Sequence, residues 1–178
     1  MARDPLPQPP NTPRPRGLTL IESAVTLALA ALVVGLAVPG FATMQERERL
    51  RGVAAQLETD IMYARSLATA RSDGVRLEFA GPRCWLLHDG APGCSCDGPV
   101  PICEGRRVLR YVNLGDTHPV QLLSNSGSLL FDPTRGTVTP TATVRLSLPS
   151  GPRLHLVVNL MGRVRRCSPD GLPGEAPC

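Results

Sequence analysis

With 178 residues, the chain has room for one long helix and one small globular domain with its own core. A net charge of +4 does not by itself mark a nucleic-acid binder, but the charge is unevenly spread. All 19 basic residues are Arg, and Pro133 to Pro169 holds Arg135, Arg145, Arg153, Arg163, Arg165 and Arg166 with no Asp or Glu, an excess that attracts polyanions.

Residues 1–17 read as an extended, Pro-rich basic leader. Ser23 to Met44 carries no charge, and as an α-helix it would span roughly 33 Å, close to the thickness of a bilayer hydrocarbon core. A secretory signal peptide has a shorter apolar core with its cleavage site after it. Here the one promising processing site, Gly17, precedes the core, and Arg3, Arg14 and Arg16 would hold the leader on the cytoplasmic side. A plain single-pass anchor does not explain Glu22, because an ionised carboxylate at the edge of hydrocarbon is costly unless something pairs with it. Cleavage after Gly17 would supply a partner, the new amine of Leu18. Residues 18–44 are therefore expected to form a membrane-spanning helix, bent or loosened at Pro39-Gly40, where proline removes a backbone bond.

Leu50, Val53, Ala54, Leu57, Ile61, Ala64 and Ala68 then recur at three- and four-residue steps, which predicts an amphipathic continuation of the same helix over residues 45–72. Glu46 with Glu48, and Glu58 with Asp60, are expected on its solvated side. The turn-forming cluster Ser72-Asp73-Gly74 ends it. Beyond it, β-type runs at Val75 to Phe79, Cys84 to Leu87, Val108 to Leu114, Val120 to Leu123, Leu129 to Phe131, Thr143 to Leu148 and Leu154 to Leu160 are separated by Gly, Pro, Asn and Asp. The fold class is α+β: a long N-terminal helix followed by a small antiparallel β-sandwich head at residues 73–166. Thr143 to Leu148 and the run from Leu154 read as one hairpin around Pro149-Ser150-Gly151-Pro152.

Cys84, Cys94, Cys96, Cys103, Cys167 and Cys178 are an even set, read as up to three disulfides in a head placed across the membrane. Cys167 to Cys178 is the favoured pair, because the tail at 167–178 has too little apolar content to hold itself down. The other four would staple the loop around Gly90 to Arg107. Zinc on Cys84, Cys94, Cys96 and Cys103 is the competing reading, but Cys-x-Cys is tighter than the usual spacer, and no metal or other cofactor is expected. His88, His118 and His155 have no nucleophile or carboxylate beside them in a recognisable motif, which argues against an enzyme. Trp85 and Tyr111 read as core or sheet-face residues.

Arg16-Gly17-Leu18-Thr19-Leu20-Ile21-Glu22 and the apolar run after it resemble a type IV pilin-like prepilin, with Leu18 where Phe is usual. The resemblance implies cleavage between Gly17 and Leu18 by a prepilin peptidase, N-methylation of Leu18, and a Glu22 that neutralises the N-terminal amine of a neighbouring subunit. Ala64-Arg65-Ser66-Leu67-Ala68, Val75-Arg76-Leu77, Trp85, Phe131-Asp132-Pro133 with Gly136, and Gly162-Arg163-Val164-Arg165, in that order, narrow it to the GspH/FimT family. The family implies a minor pilin in a type IV pilus or, alternatively, a minor pseudopilin of type II secretion. Its partners would be other pilins or pseudopilins and the peptidase. It would sit in the inner membrane by a single pass with a periplasmic head, and in the pilus or pseudopilus after assembly. In members of the FimT kind, the resemblance implies, a Gly-Arg-x-Arg motif at this location binds DNA for uptake in natural transformation, so double-stranded DNA bound without sequence specificity is a further expected partner. Gly162, Arg163 and Arg165 match the motif, with Arg166 a further candidate, all expected on a loop held by the Cys167 to Cys178 bridge. Pairing of these Arg residues with acidic groups on neighbouring pilins, or simple protection of a sheet edge, is the other reading. An isolated anchored domain that is never cut at Gly17 is a third.

Overall fold

The computed structural model describes residues 19–178 apart from Asp97 and Pro99, and the backbone but not the side chains of residues 36–39. Gly17 and Leu18, the expected cleavage site, lie outside the described residues. Contacts divide the chain into two units, Met1–Ala42 and Thr43–Cys178.

A single helix, α1 (Leu20–Arg71), carries through Pro39-Gly40 as one element. Thr19 caps it: the Thr19 Oγ1 accepts the Glu22 N–H at 3.3 Å, and Glu22 stands in the first turn, where a carboxylate meets the positive end of the helix dipole. In the first unit the side chains of Leu20, Ile21, Leu27, Leu32 and Phe41 are exposed. With a mean hydropathy of 2.3, this part of the helix is long and apolar enough to cross a membrane. At its far end α1 closes in a Schellman turn. Ser72 takes φ 54°, its N–H donates to the Thr69 carbonyl, and the Asp73 N–H reaches back to the Ala68 carbonyl.

In the second unit, Leu50, Val53, Ala54, Leu57, Ile61, Ala64 and Ala68 are all buried and form the helix side of one core. The other side comes from two antiparallel sheets. The five-stranded sheet has the order β3-β2-β1-β5-β6, built from β1 (Val75–Gly81), β2 (Cys84–Asp89), β3 (Val108–Asn113), β5 (Ser128–Phe131) and β6 (Val138–Thr139). The four-stranded sheet has the order β4-β7-β8-β9, built from β4 (Gln121–Ser124), β7 (Ala142–Ser147), β8 (Arg153–Val158) and β9 (Val164–Cys167). The expected hairpin is β7 paired with β8, from Ala142 opposite Val158 to Ser147 opposite Arg153.

The outer faces of the two sheets differ. Cys84, Leu86 and Cys94 form a second small core on the outer face of the five-stranded sheet, beneath the loop that follows β2. Bridges Cys84–Cys96 and Cys94–Cys103 staple that loop. Glu78 anchors it from below: its carboxylate accepts the N–H groups of Gly93 (2.8 Å) and Cys94 (3.2 Å) and meets the buried His88 Nε2 at 3.0 Å. The four cysteines weighed as zinc ligands are thus paired with one another. On the outer face of the four-stranded sheet the described residues place only part of the tail, where the Cys167–Cys178 bridge brings Cys178 Sγ to 3.6 Å from His155 Nδ1.

The helix and the tail each differ from expectation at one point. Asp60, expected on the solvated side of α1, has no exposed surface. Trp85 Nε1–H donates to its Oδ2 at 2.8 Å, and Arg110 Nε lies 2.5 Å from its Oδ1. The tail is held by more than its bridge, because Leu172 is buried in the main core and Glu175 lies 3.9 Å from both Arg51 and Arg166.

Candidate nucleic-acid interface

The motif residues occupy the β8–β9 hairpin and its last strand rather than a loop alone. Asn159 to Arg163 makes the turn: the Gly162 N–H donates to the Asn159 carbonyl, and the Arg163 N–H to the Asn159 Oδ1, both at 2.9 Å. Gly162 has φ +70°, in the left-handed region that favours glycine, and a Cβ there would lie 3.3 Å from Arg65 Cδ and from Val138 Cγ2. A Cβ at Gly136 would also press on Arg65, at 3.2 Å from its Nε. Three residues separated in sequence, Arg65, Gly136 and Gly162, therefore meet where the Arg65 stem runs beneath two backbone turns.

Arg165 and Arg166 lie on β9, an edge strand, so only Arg163 of the three candidates sits in the turn. Strand alternation then separates them. Arg166 pairs with Leu156 and Val164 with Val158, on the inward face, and Arg166 Nε lies 3.6 Å from Glu58 of α1. Arg165 pairs with Val157 and points outward, exposed, with its NH2 donating to the Pro177 carbonyl at 3.3 Å. Arg163 is exposed as well. Arg166 therefore ties the sheet to the helix and tail, while Arg163 and Arg165 face away from the core.

The Cys167–Cys178 bridge closes the tail beside these residues. Ser168 adds a bridge to Pro177, and its hydroxyl both donates to the Arg153 carbonyl at 3.0 Å and accepts the Leu172 N–H at 3.1 Å. Closing a loop with a sequence separation of 11 contributes about 2 to 3 kcal/mol through the unfolded chain. Replacing both cysteines by Ser should lower the unfolding free energy by about that amount in a urea titration, and expose the tail to limited proteolysis.

Further along the same outer face, Arg153 grips Asp170 through two bonds of 2.9 and 2.6 Å. That hydrogen-bonded fork holds the Asp170 carboxyl below its usual range. His155, opposite Arg145 on β7 and Cys167 on β9, is pushed down by partial burial and then by the charges of Arg145 and Arg153. The face is positive, and among the described residues the carboxylate paired on it is Asp170.

A family model described as "Type II transport protein GspH" matches residues 53–162. The chain belongs to the GspH family. Its matched segment runs from the amphipathic half of α1 to Gly162. Two crystal structures of the type IV minor pilin FimU of Pseudomonas aeruginosa resemble this GspH-family chain. One has 18% identity and a TM-score of 0.55, covering 73% of this chain and 96% of that one. The other has 16% identity and a TM-score of 0.51, covering 70% and 98%. At those identities the likeness speaks for the pilin-like fold, one long N-terminal helix followed by antiparallel sheets. Among curated protein sequences none matches.

Sequence reasoning missed the inward turn of Arg166, the Glu78–His88 pair and the buried Asp60. The last had a signal, since Asp60 follows Leu57 by three residues and precedes Ala64 by four, which places it on the apolar stripe.

Proposed function

We propose that this GspH-family protein is a minor pilin of a type IV pilus that takes part in assembly and captures extracellular duplex DNA for uptake. In this reading it is cut after Gly17, N-methylated on Leu18, held in the inner membrane by residues 18–44 with its head in the periplasm, and joined to neighbouring pilins through Glu22. The observation that carries the DNA reading is the outward pair Arg163 and Arg165, presented by a glycine turn and set apart from the structurally engaged Arg166. Arg suits the task because its planar fork donates two hydrogen bonds to one phosphate.

The full-length protein in a nonionic detergent should bind duplexes of unrelated sequence, with affinity falling steeply as salt rises. The Arg163→Ala, Arg165→Ala double variant should bind roughly tenfold or more weakly. Its slope of log affinity against log salt should be shallower by about two. Equal binding by parent and double variant across the salt series would remove this site from consideration. The family model's description favours a second reading, a type II pseudopilin. Under that reading, loss of the protein would stop protein export and leave DNA uptake intact.

A further inference from the structure

We infer that the polyanion site extends from the hairpin across the outer face of the four-stranded sheet, with Arg145 of β7 as a third phosphate-binding residue beside Arg163 and Arg165, and that the face takes duplex rather than single-stranded DNA. The inference rests on the DNA-binding reading above and extends it from one hairpin to a surface.

Register places the residues. Arg145 lies opposite His155, and His155 opposite Cys167, so Arg145 and Arg165 are two strands apart and two residues out of line on the same face. Strand spacing and rise put their Cα atoms about 12 Å apart, close enough for both side chains to reach phosphates of one duplex. Arg145 is exposed, and no acidic partner for it is found among the described residues. Arg153, the other arginine on this face, is held by Asp170 and is thereby the one least free to turn to a ligand.

The partner's form follows from what lies between the arginines. Thr143, His155 and Val157 separate Arg145 from Arg165, with the Cys167–Cys178 bridge beside His155, and Leu123 lies opposite Arg145 on β4. None of the strand residues on this face is Phe, Tyr or Trp. Single-strand binding relies on such side chains as stacking platforms, whereas a duplex shows its phosphates and needs none. The outer face of the five-stranded sheet offers no comparable surface, because the disulfide-stapled loop packs on it.

The test measures binding of the full-length protein in nonionic detergent to a 30-base-pair duplex and to its separated strands over a salt series. It compares the parent, Arg145→Gln, Arg145→Glu, Arg107→Gln and the Arg163→Ala, Arg165→Ala double variant. Arg107 is an exposed arginine just before β3 of the other sheet, so its loss changes net charge equally. Arg145→Gln should weaken duplex binding about threefold to tenfold and flatten the salt slope by about one, and Arg145→Glu should weaken it further. Arg107→Gln should match the parent, and the parent should prefer duplex to single strands. Parent-like binding by Arg145→Gln with loss in the Arg163, Arg165 double variant would overturn the extended face and leave the hairpin site standing. An equal effect of Arg107→Gln would reduce Arg145 to bulk charge and also overturn it, as would tighter binding of single strands. No binding by the parent would instead defeat the underlying DNA reading. That outcome, together with pull-down of a neighbouring pilin lost in Arg145→Glu, would assign the face to an acidic protein partner.

Discussion

Replacing Asp60 by Ala is expected to cost the head about 3 kcal/mol, more than any exposed substitution. The carboxylate is fully buried, accepts the indole N–H of the equally buried Trp85, and faces Arg110. Truncation leaves that N–H without an acceptor in the core. Arg110, whose side chain is 44% exposed, can turn to water, so its share of the loss is small. Asp60→Asn keeps an oxygen for Trp85 and should cost about 1 kcal/mol.

The same residue gives the head a pH signature. Asp60 lies beyond the uncharged run at residues 23–44, and desolvation raises its pKa above the ordinary 3.8 despite the opposing pull of Trp85 and Arg110. The folded state therefore takes up the proton first as pH falls. The parent should gain stability relative to Asp60→Asn as pH drops through the folded pKa, and the gain should level off below 3.8, where the unfolded carboxyl is also protonated. Urea titrations of both proteins from about pH 4 to about pH 7 would read this difference, roughly 1.4 kcal/mol for each tenfold by which folding tightens the carboxyl's hold on its proton. A parent that loses stability relative to Asp60→Asn over that range would show that Arg110, not burial, dominates.

Gly162→Val is expected to cost about 3 kcal/mol. The residue would have to hold a left-handed φ, unfavourable for a β-branched side chain, while its Cβ pressed on Arg65 and Val138 at 3.3 Å. Gly162→Ala shares the strain and most of the contact and should cost about 1 to 2 kcal/mol. The turn sets where Arg163 leaves the sheet, so both variants should also bind duplex DNA more weakly while the outer-face charge is unchanged. Thermal unfolding and binding isotherms on the same samples would separate the two effects.

The helical stripe from Leu50 to Ala68 was legible because burial on one side of a helix leaves a 3.6-residue period. The β7–β8 hairpin was legible because alternation and a Pro-Gly turn coincide. Strand β6 spans only Val138–Thr139, too short to show a period. Strand β9 reads Val-Arg-Arg-Cys, a charged segment whose strand character comes from pairing with β8. The opposite directions of Arg165 and Arg166 follow at once from that pairing, but only after the register is known. Glu78 escaped notice because a carboxylate on the outer side of a strand is normally solvated, and its burial comes from a loop folded over it. The local grammar of the chain was thus readable, while the burial of Glu78 and Asp60 and the inward turn of Arg166, which depend on what one segment lays over another, were not.

All three covalent cross-links join residues from Cys84 onward, so none ties α1 to the sheets. A tensile load applied along the helix would have to be carried across the helix–sheet boundary by apolar packing and by a few polar clasps: Asp60 with Trp85 and Arg110, Glu58 with Arg166, and Arg51 with Glu175. The bridges fasten a loop and the tail, and nothing covalent fastens the stem, so under mechanical stress the joint between helix and sheets is where this molecule should yield first.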